Sequence, residues 1–218
     1  FFNDEATHQE FGGWVDIINL HEMAHSYFGD SVVIRDFSHA WLKEGWATYM
    51  ESVWLSETVD ADTGFWLLQE DRLAYLDEVN ARYERPVITR EFDHSWHMYD
   101  RHLYQGSAWR IHMLRAKLGE ADFWQATQQY LTQYASKCAE TDDFRRCLEE
   151  VSGFHLSRFF EDWFRRPGCP GLTLSMQVSD KGGRTALATL IMDKPSDGGE
   201  FFELELDIGL LDESGNWQ

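Results

Sequence analysis

The stretch 21-HEMAHSYFGD-30 sets two histidines four residues apart, with a glutamate directly after the first. On an α-helix, residues i and i+4 lie on one face about a turn apart, so His21 and His25 can point at one ion. Zinc is the natural candidate. Neutral imidazole suits it, and its catalytic sites take protein ligands while keeping one position for water. Glu22 projects to the side of the pair, where it can take a proton from a water held by the ion. A structural histidine pair on a buried helix is the alternative, and the three fixed letters of H-E-x-x-H do not exclude it.

A catalytic site of this kind needs a third protein ligand. Glu44 lies in 41-WLKEGWATYME-51, with eighteen residues between it and His25. Two helices joined by a loop could bring it to the ion. A surface position is the usual fate of a glutamate. Here the neighbours Trp41, Leu42, Gly45, Trp46 and Ala47 are aromatic or small, which opposes that reading. Thr48 and Glu51 follow at i+4 and i+7 on the same face. Either could hold the second N–H of a ligating histidine.

The pairing of HEMAHSYFGD with the glutamate of WLKEGWATYME resembles the M1 family of zinc aminopeptidases, gluzincins related to aminopeptidase N and leukotriene A4 hydrolase. The resemblance implies one zinc held by His21, His25 and Glu44, Glu22 as general base, and peptide substrates that lose their N-terminal residue. It also implies a tyrosine on a later helix that steadies the tetrahedral intermediate. In 103-LYQGSAWRIHMLRAKLG-119, counting back from HMLR puts Tyr104 at that position. Gly106 and Ser107 stand where the family has a lysine and the glycine, a departure from its pattern. A plain core tyrosine is the alternative for Tyr104.

The likeness continues through 141-TDDFRRCLEEVSG-153 and 156-LSRFFEDWFRRPGCPGLTL-174. These look like the helical end of the family's catalytic domain and its exit into a β-sandwich. The family's amine-reading G-x-M-E-N segment is not in 1-FFNDEATHQEFGGWVDIIN-19, so its position would lie before Phe1. A fragment is therefore expected, and residues 1–218 alone are expected to show little aminopeptidase activity. Two other readings stand beside the aminopeptidase. One is a non-catalytic M1-like binding module, against which the intact Glu22 argues. The other is an endopeptidase or epoxide hydrolase of the same fold.

Periodicity sets the rest. Apolar residues at helical spacing predict helices over 14–28, 39–55, 62–82, 102–118, 120–135, 141–151 and 155–166, with Asp62 as a cap for the third. After PGCPG at 167–171 the pattern alternates. It predicts strands over 172–178, 184–192 and 202–208, with turns at DKGG and DESG and a further strand beginning near Trp217. The expected fold is α+β: a mainly α-helical thermolysin-like catalytic domain over 1–166, lacking its N-terminal part, then a truncated β-sandwich over 167–218.

Composition sets outer limits. The 218 residues are 43% hydrophobic and 15% aromatic, enough for a packed core. The net charge of −19 argues against nucleic acid or an anionic membrane as partner. No apolar run reaches the length of about 18 residues that a membrane span needs. Cys138, Cys147 and Cys169 have no C-x-x-C spacing; Cys138 and Cys147 could pair in an oxidising compartment, and otherwise read as free thiols. His94, His97 and His102 fit no tight metal site by spacing. His39, just before the Glu44 helix, is placed to line the cleft.

Overall fold

Asp4 accepts a hydrogen bond from the Thr7 N–H at 2.8 Å and opens α1, Glu5–His25. This satisfies one of the free donors of a helix start. The computed structural model describes residues 4–179, 185–195, 198–206 and 209. The chain forms two compact units, Phe1–Gly168 and Cys169–Gln218.

In the first unit, α2 (Trp41–Thr58) and α3 (Ala61–Ala81) follow a short strand β1, Val32–Ile34. Asp60, not Asp62, caps α3 by accepting from the Thr63 N–H at 2.7 Å. A cap side chain reaches the donor three residues on, so Asp62 is one turn position too late. Next come α4 (Gln105–Leu118), α5 (Glu120–Gln133), strand β2 (Lys137–Ala139), α6 (Thr141–Ser152) and a single turn α7 (Ser157–Phe160). Glu161–Arg165 then winds as a wider π-helical turn. Gly119 and Gly153 hold φ of 80° and 72°, values glycine adopts freely, and each closes the helix before it.

Two features differ from the sequence expectation in this unit. The predicted helix over 102–118 starts at Gln105, because residues 101–104 are taken up by turns. Strands β1 and β2 pair in parallel, Val33 opposite Cys138, where no strand was expected. Three residues are too few for alternation to register.

The core is built around α2. Trp41 and Trp46 are fully buried. Trp46 stacks on Phe28 just past α1, centroids 4.4 Å apart, and meets Phe123 of α5 and Phe144 of α6. Trp41 packs on Phe144 and Phe164. Full burial of one such side chain contributes about 2–3 kcal/mol, so this aromatic cluster fixes the helix that carries Glu44. The opposite contact of α2 is with α4. A Cβ on Gly45 would sit inside the van der Waals shell of the Ser107 Cβ. Gly45→Ala is expected to cost about 1–3 kcal/mol through this overlap, read as a fall in the thermal midpoint. An unchanged midpoint would mean that α2 and α4 separate freely.

In the second unit, β3 (Leu172–Ser179) pairs antiparallel with β4 (Thr185–Met192), Leu174 opposite Leu190. The strand expected over 202–208 is not formed at its described residues 202–206, although Phe202 is buried. Alternation specifies a face, but a strand also needs a partner edge. Among the described residues β3 and β4 pair only with each other. Positions 207–208, DESG and Trp217 lie outside the described residues. The chain is thus α+β and mainly helical. No helix among the described residues is long and apolar enough to cross a membrane.

Candidate metal centre and active site

The C-terminal turn of α1 presents His21 and His25 on one face, their rings edge to face at 4.9 Å. Glu44, in the first turn of α2, is buried beside them. Its Oε2 lies 3.4 Å from His21 Nε2 and 3.3 Å from His25 Nε2. One ligand atom from each of the three residues falls within 4.8 Å of the other two.

Hydrogen bonds on the far sides of the rings fix what faces inward. His21 Nδ1 is 2.7 Å from Glu51 Oε1, and His25 Nδ1 is 3.0 Å from the Phe28 carbonyl. A carboxylate and a carbonyl only accept, so both Nδ1 atoms carry the proton. In the neutral rings, both Nε2 lone pairs therefore converge on the Glu44 carboxylate. Three electron donors at this spacing require a cation between them, either a metal or protons.

The titration tendencies say the same. Burial opposes charge on His21, but its contacts with Glu44 and Glu51 outweigh that and push its pKa up to about 9. His25 is raised by its hydrogen bond to Glu44, against burial. Burial would raise Glu44, yet His21, His25 and Lys43 together hold it well below the usual carboxylate range. Glu51 is raised by burial. The two nitrogens and one carboxylate oxygen are a donor set that fits zinc.

Glu22 is exposed on the turn between the histidines. Tyr104 is half-buried just ahead of α4, its ring 6.0 Å from that of His21. Burial and the nearby Glu44 carboxylate push its phenol pKa up, and the Glu22 charge adds to this. His21, His25 and Glu44 thus converge on one point, with the Tyr104 ring beside His21 and Glu22 within electrostatic reach of that phenol.

Other expectations fare differently. His39 is buried, with Nδ1 2.9 Å from Thr141 Oγ1, so it joins the turn ahead of α2 to the start of α6. His94 and His97 touch on the surface with their rings tilted at 43°, while His102 is fully buried elsewhere. Of the two candidates to support a histidine, Glu51 is the one in contact. The sequence reading missed Lys43, whose Nζ is 2.7 Å from Glu44 Oε1 and 5.7 Å from the Tyr99 ring centroid. It also missed the Phe28 carbonyl, for which no side-chain signal exists.

The description of the Peptidase family M1 domain matches residues 2–163. The chain belongs to that family. Aminopeptidase M1-C of Oryza sativa subsp. japonica is 29% identical over 185 residues, which cover 82% of this chain and 21% of the relative. Leucyl aminopeptidase of Saccharolobus solfataricus is 29% identical over 189 residues, covering 85% and 23%. The chain therefore spans about a fifth of the length of the curated relatives it matches. Among solved structures, an M1 zinc metallopeptidase from Deinococcus radiodurans superposes with a TM-score of 0.61 at 24% identity, over 72% of this chain and 34% of that one. Yeast LTA4 hydrolase in complex with bestatin gives 0.65 at 23% identity, over 71% and 27%. These likenesses establish the fold. Within it, Gly106 has a local cause: a Cβ there would lie 2.8 Å from the Tyr75 ring, which fills the space a lysine would need.

Proposed function

We propose that this chain is the zinc-holding catalytic part of an aminopeptidase that hydrolyses the N-terminal peptide bond of peptides. The observation that carries this reading is the convergence of His21 Nε2, His25 Nε2 and Glu44 Oε2, with both histidine Nδ1 atoms tied back. These three residues would hold the ion. When bound, zinc supplies Lewis acidity, which acidifies water and polarises a carbonyl.

The chain's own groups do the rest. Glu22 accepts a proton from the attacking water and returns it to the leaving amine. The Tyr104 phenol stays protonated at neutral pH, because its pKa is raised. It can therefore donate a hydrogen bond to the oxygen that gains charge. Glu51 and the Phe28 carbonyl keep both imidazoles in the tautomer that turns Nε2 inward.

The test is hydrolysis of an aminoacyl reporter by the full-length protein that carries these residues, before and after chelation and with zinc restored. Reversible loss is expected, together with resistance of an N-acetylated reporter. Equal cleavage of the acetylated reporter would point to endopeptidase activity instead. Glu51→Gln is expected to lower zinc affinity about 10–100-fold, since the amide leaves the His21 tautomer unspecified. Competition with a zinc-sensitive chelator reads this directly, and an unchanged affinity would remove Glu51 from the site.

A further inference from the structure

A second cluster of metal-type donors lies behind the site. One ligand atom each from Glu78, Asp100 and His102 falls within 4.8 Å of the others. Cations of the chain already serve these carboxylates. Arg85 grips Asp100 through both oxygens, at 2.7 and 2.5 Å. Arg82 donates to Glu78 Oε1 at 2.7 Å. The cluster does not need an ion, so its role has to be sought in what it holds.

What it holds is the chain that leads into Tyr104. Glu78, on α3, is buried, and its Oε2 accepts from the Arg101 backbone N–H at 2.8 Å and from His102 Nδ1 at 3.1 Å. The His102 ring is completely buried, stacked on Tyr83 and edge-on to Tyr75. With Nδ1 carrying the proton, Nε2 is a bare lone pair, and it is found buried without a hydrogen-bond partner. Asp100 Oδ1 accepts from the Leu103 N–H at 3.0 Å, and its Oδ2 from the Tyr83 hydroxyl at 2.9 Å. Residues 100–102 are thereby tied to α3 or to the 83–85 loop, and the Leu103 and Tyr104 N–H groups to Asp100. From the other side, Ser107 Oγ donates to the His102 carbonyl at 3.2 Å. This hydroxyl belongs to the residue against which Gly45 packs, one position after the ligand Glu44.

We propose that Glu78 and His102 are positioning residues that fix the Tyr104 phenol relative to His21 and Glu44. The inference rests on the reading of Tyr104 as the oxyanion donor. A buried carboxylate that holds two consecutive residues removes the freedom of the turn just before the phenol. A displacement of about 1 Å at a catalytic donor costs up to about 10²-fold in rate, so freeing the turn should be visible in kcat.

The experiment is a double-mutant cycle in the full-length, zinc-loaded protein. His102→Phe keeps the ring between Tyr83 and Tyr75 and removes the bond to Glu78. Tyr104→Phe removes the phenol hydroxyl. His102→Phe is expected to lower kcat on the order of 10-fold, with KM and zinc content unchanged. In the Tyr104→Phe background the same change is expected to have no further effect, because there is no hydroxyl left to misplace. An equal loss in both backgrounds, or no loss in the first, overturns the positioning role while leaving the Tyr104 reading intact. Normal turnover by Tyr104→Phe overturns that reading itself. If His102→Phe does not fold, Glu78→Gln takes its place in the cycle. Its amide keeps the volume of the side chain but cannot accept from Arg82, Arg101 and His102 together, and the same non-additivity decides.

Discussion

Glu22→Gln is expected to lower kcat by about 10²–10⁴-fold, with zinc still bound at one per chain and the thermal midpoint unchanged. The substitution keeps the shape and helix propensity of the side chain, and it lies on an exposed turn of α1. Packing and ligation therefore have little reason to respond. What disappears is the ability to accept a proton, since an amide at this position cannot act as a base. Turnover of an aminoacyl reporter and zinc content by emission spectroscopy, measured on one sample, separate the two effects. Full activity with full zinc would end the role of Glu22 as the base. A wild-type protein that binds zinc yet turns over no peptide would favour the binding-module reading.

The convergence of His21, His25 and Glu44 was the most legible part of the candidate site, for a geometric reason. His21 and His25 are related by one helical turn, which the chain itself dictates. Glu44 needed two helices to pack, yet its aromatic neighbours announced that packing, and Trp41 and Trp46 are indeed fully buried. Tyr104 was reachable only through the family's pattern, because no periodicity links residue 104 to residue 21. The Glu78–His102 contact was out of reach, since it depends on side chains meeting across separate elements, and Lys43 reaches Glu44 although adjacent helix positions do not ordinarily face each other. Periodicity also overstated burial. Trp14 and Ile18, one turn apart on the predicted helix, are exposed. The spacing states which face could be covered, and the described residues do not cover it. The missing strand at 202–206 has the same logic: alternation names a face, while pairing is a property of the neighbour.

Removing the metal is expected to abolish turnover and to leave a chain whose stability falls as the pH rises. In the metal-free protein, protons take the place of the ion between the Nε2 atoms and Glu44. The folded pKa of His21 is raised from 6.5 to about 9. A group with a raised folded pKa stabilises fully below its unfolded pKa, and the contribution is lost as the pH climbs through the folded value. That window is 6.5 to about 9, and the size of the shift corresponds to an order of roughly 3 kcal/mol. Glu44 has the opposite sign. Its pKa is depressed, so its contribution is present above the ordinary 4.5 and is lost only on acidification below that. The contribution of these two residues to the metal-free midpoint should therefore be greatest between about pH 4.5 and 6.5 and decline toward pH 9. Zinc must displace these same protons, so its affinity should rise across the window in which the metal-free chain weakens. Thermal melts of chelated and zinc-loaded protein from acid to alkaline pH test both statements. The gap between the two midpoints should be small in mild acid and widest in alkali. A gap independent of pH would mean that no proton occupies the metal's place, and that the convergence of His21, His25 and Glu44 is held together by packing alone.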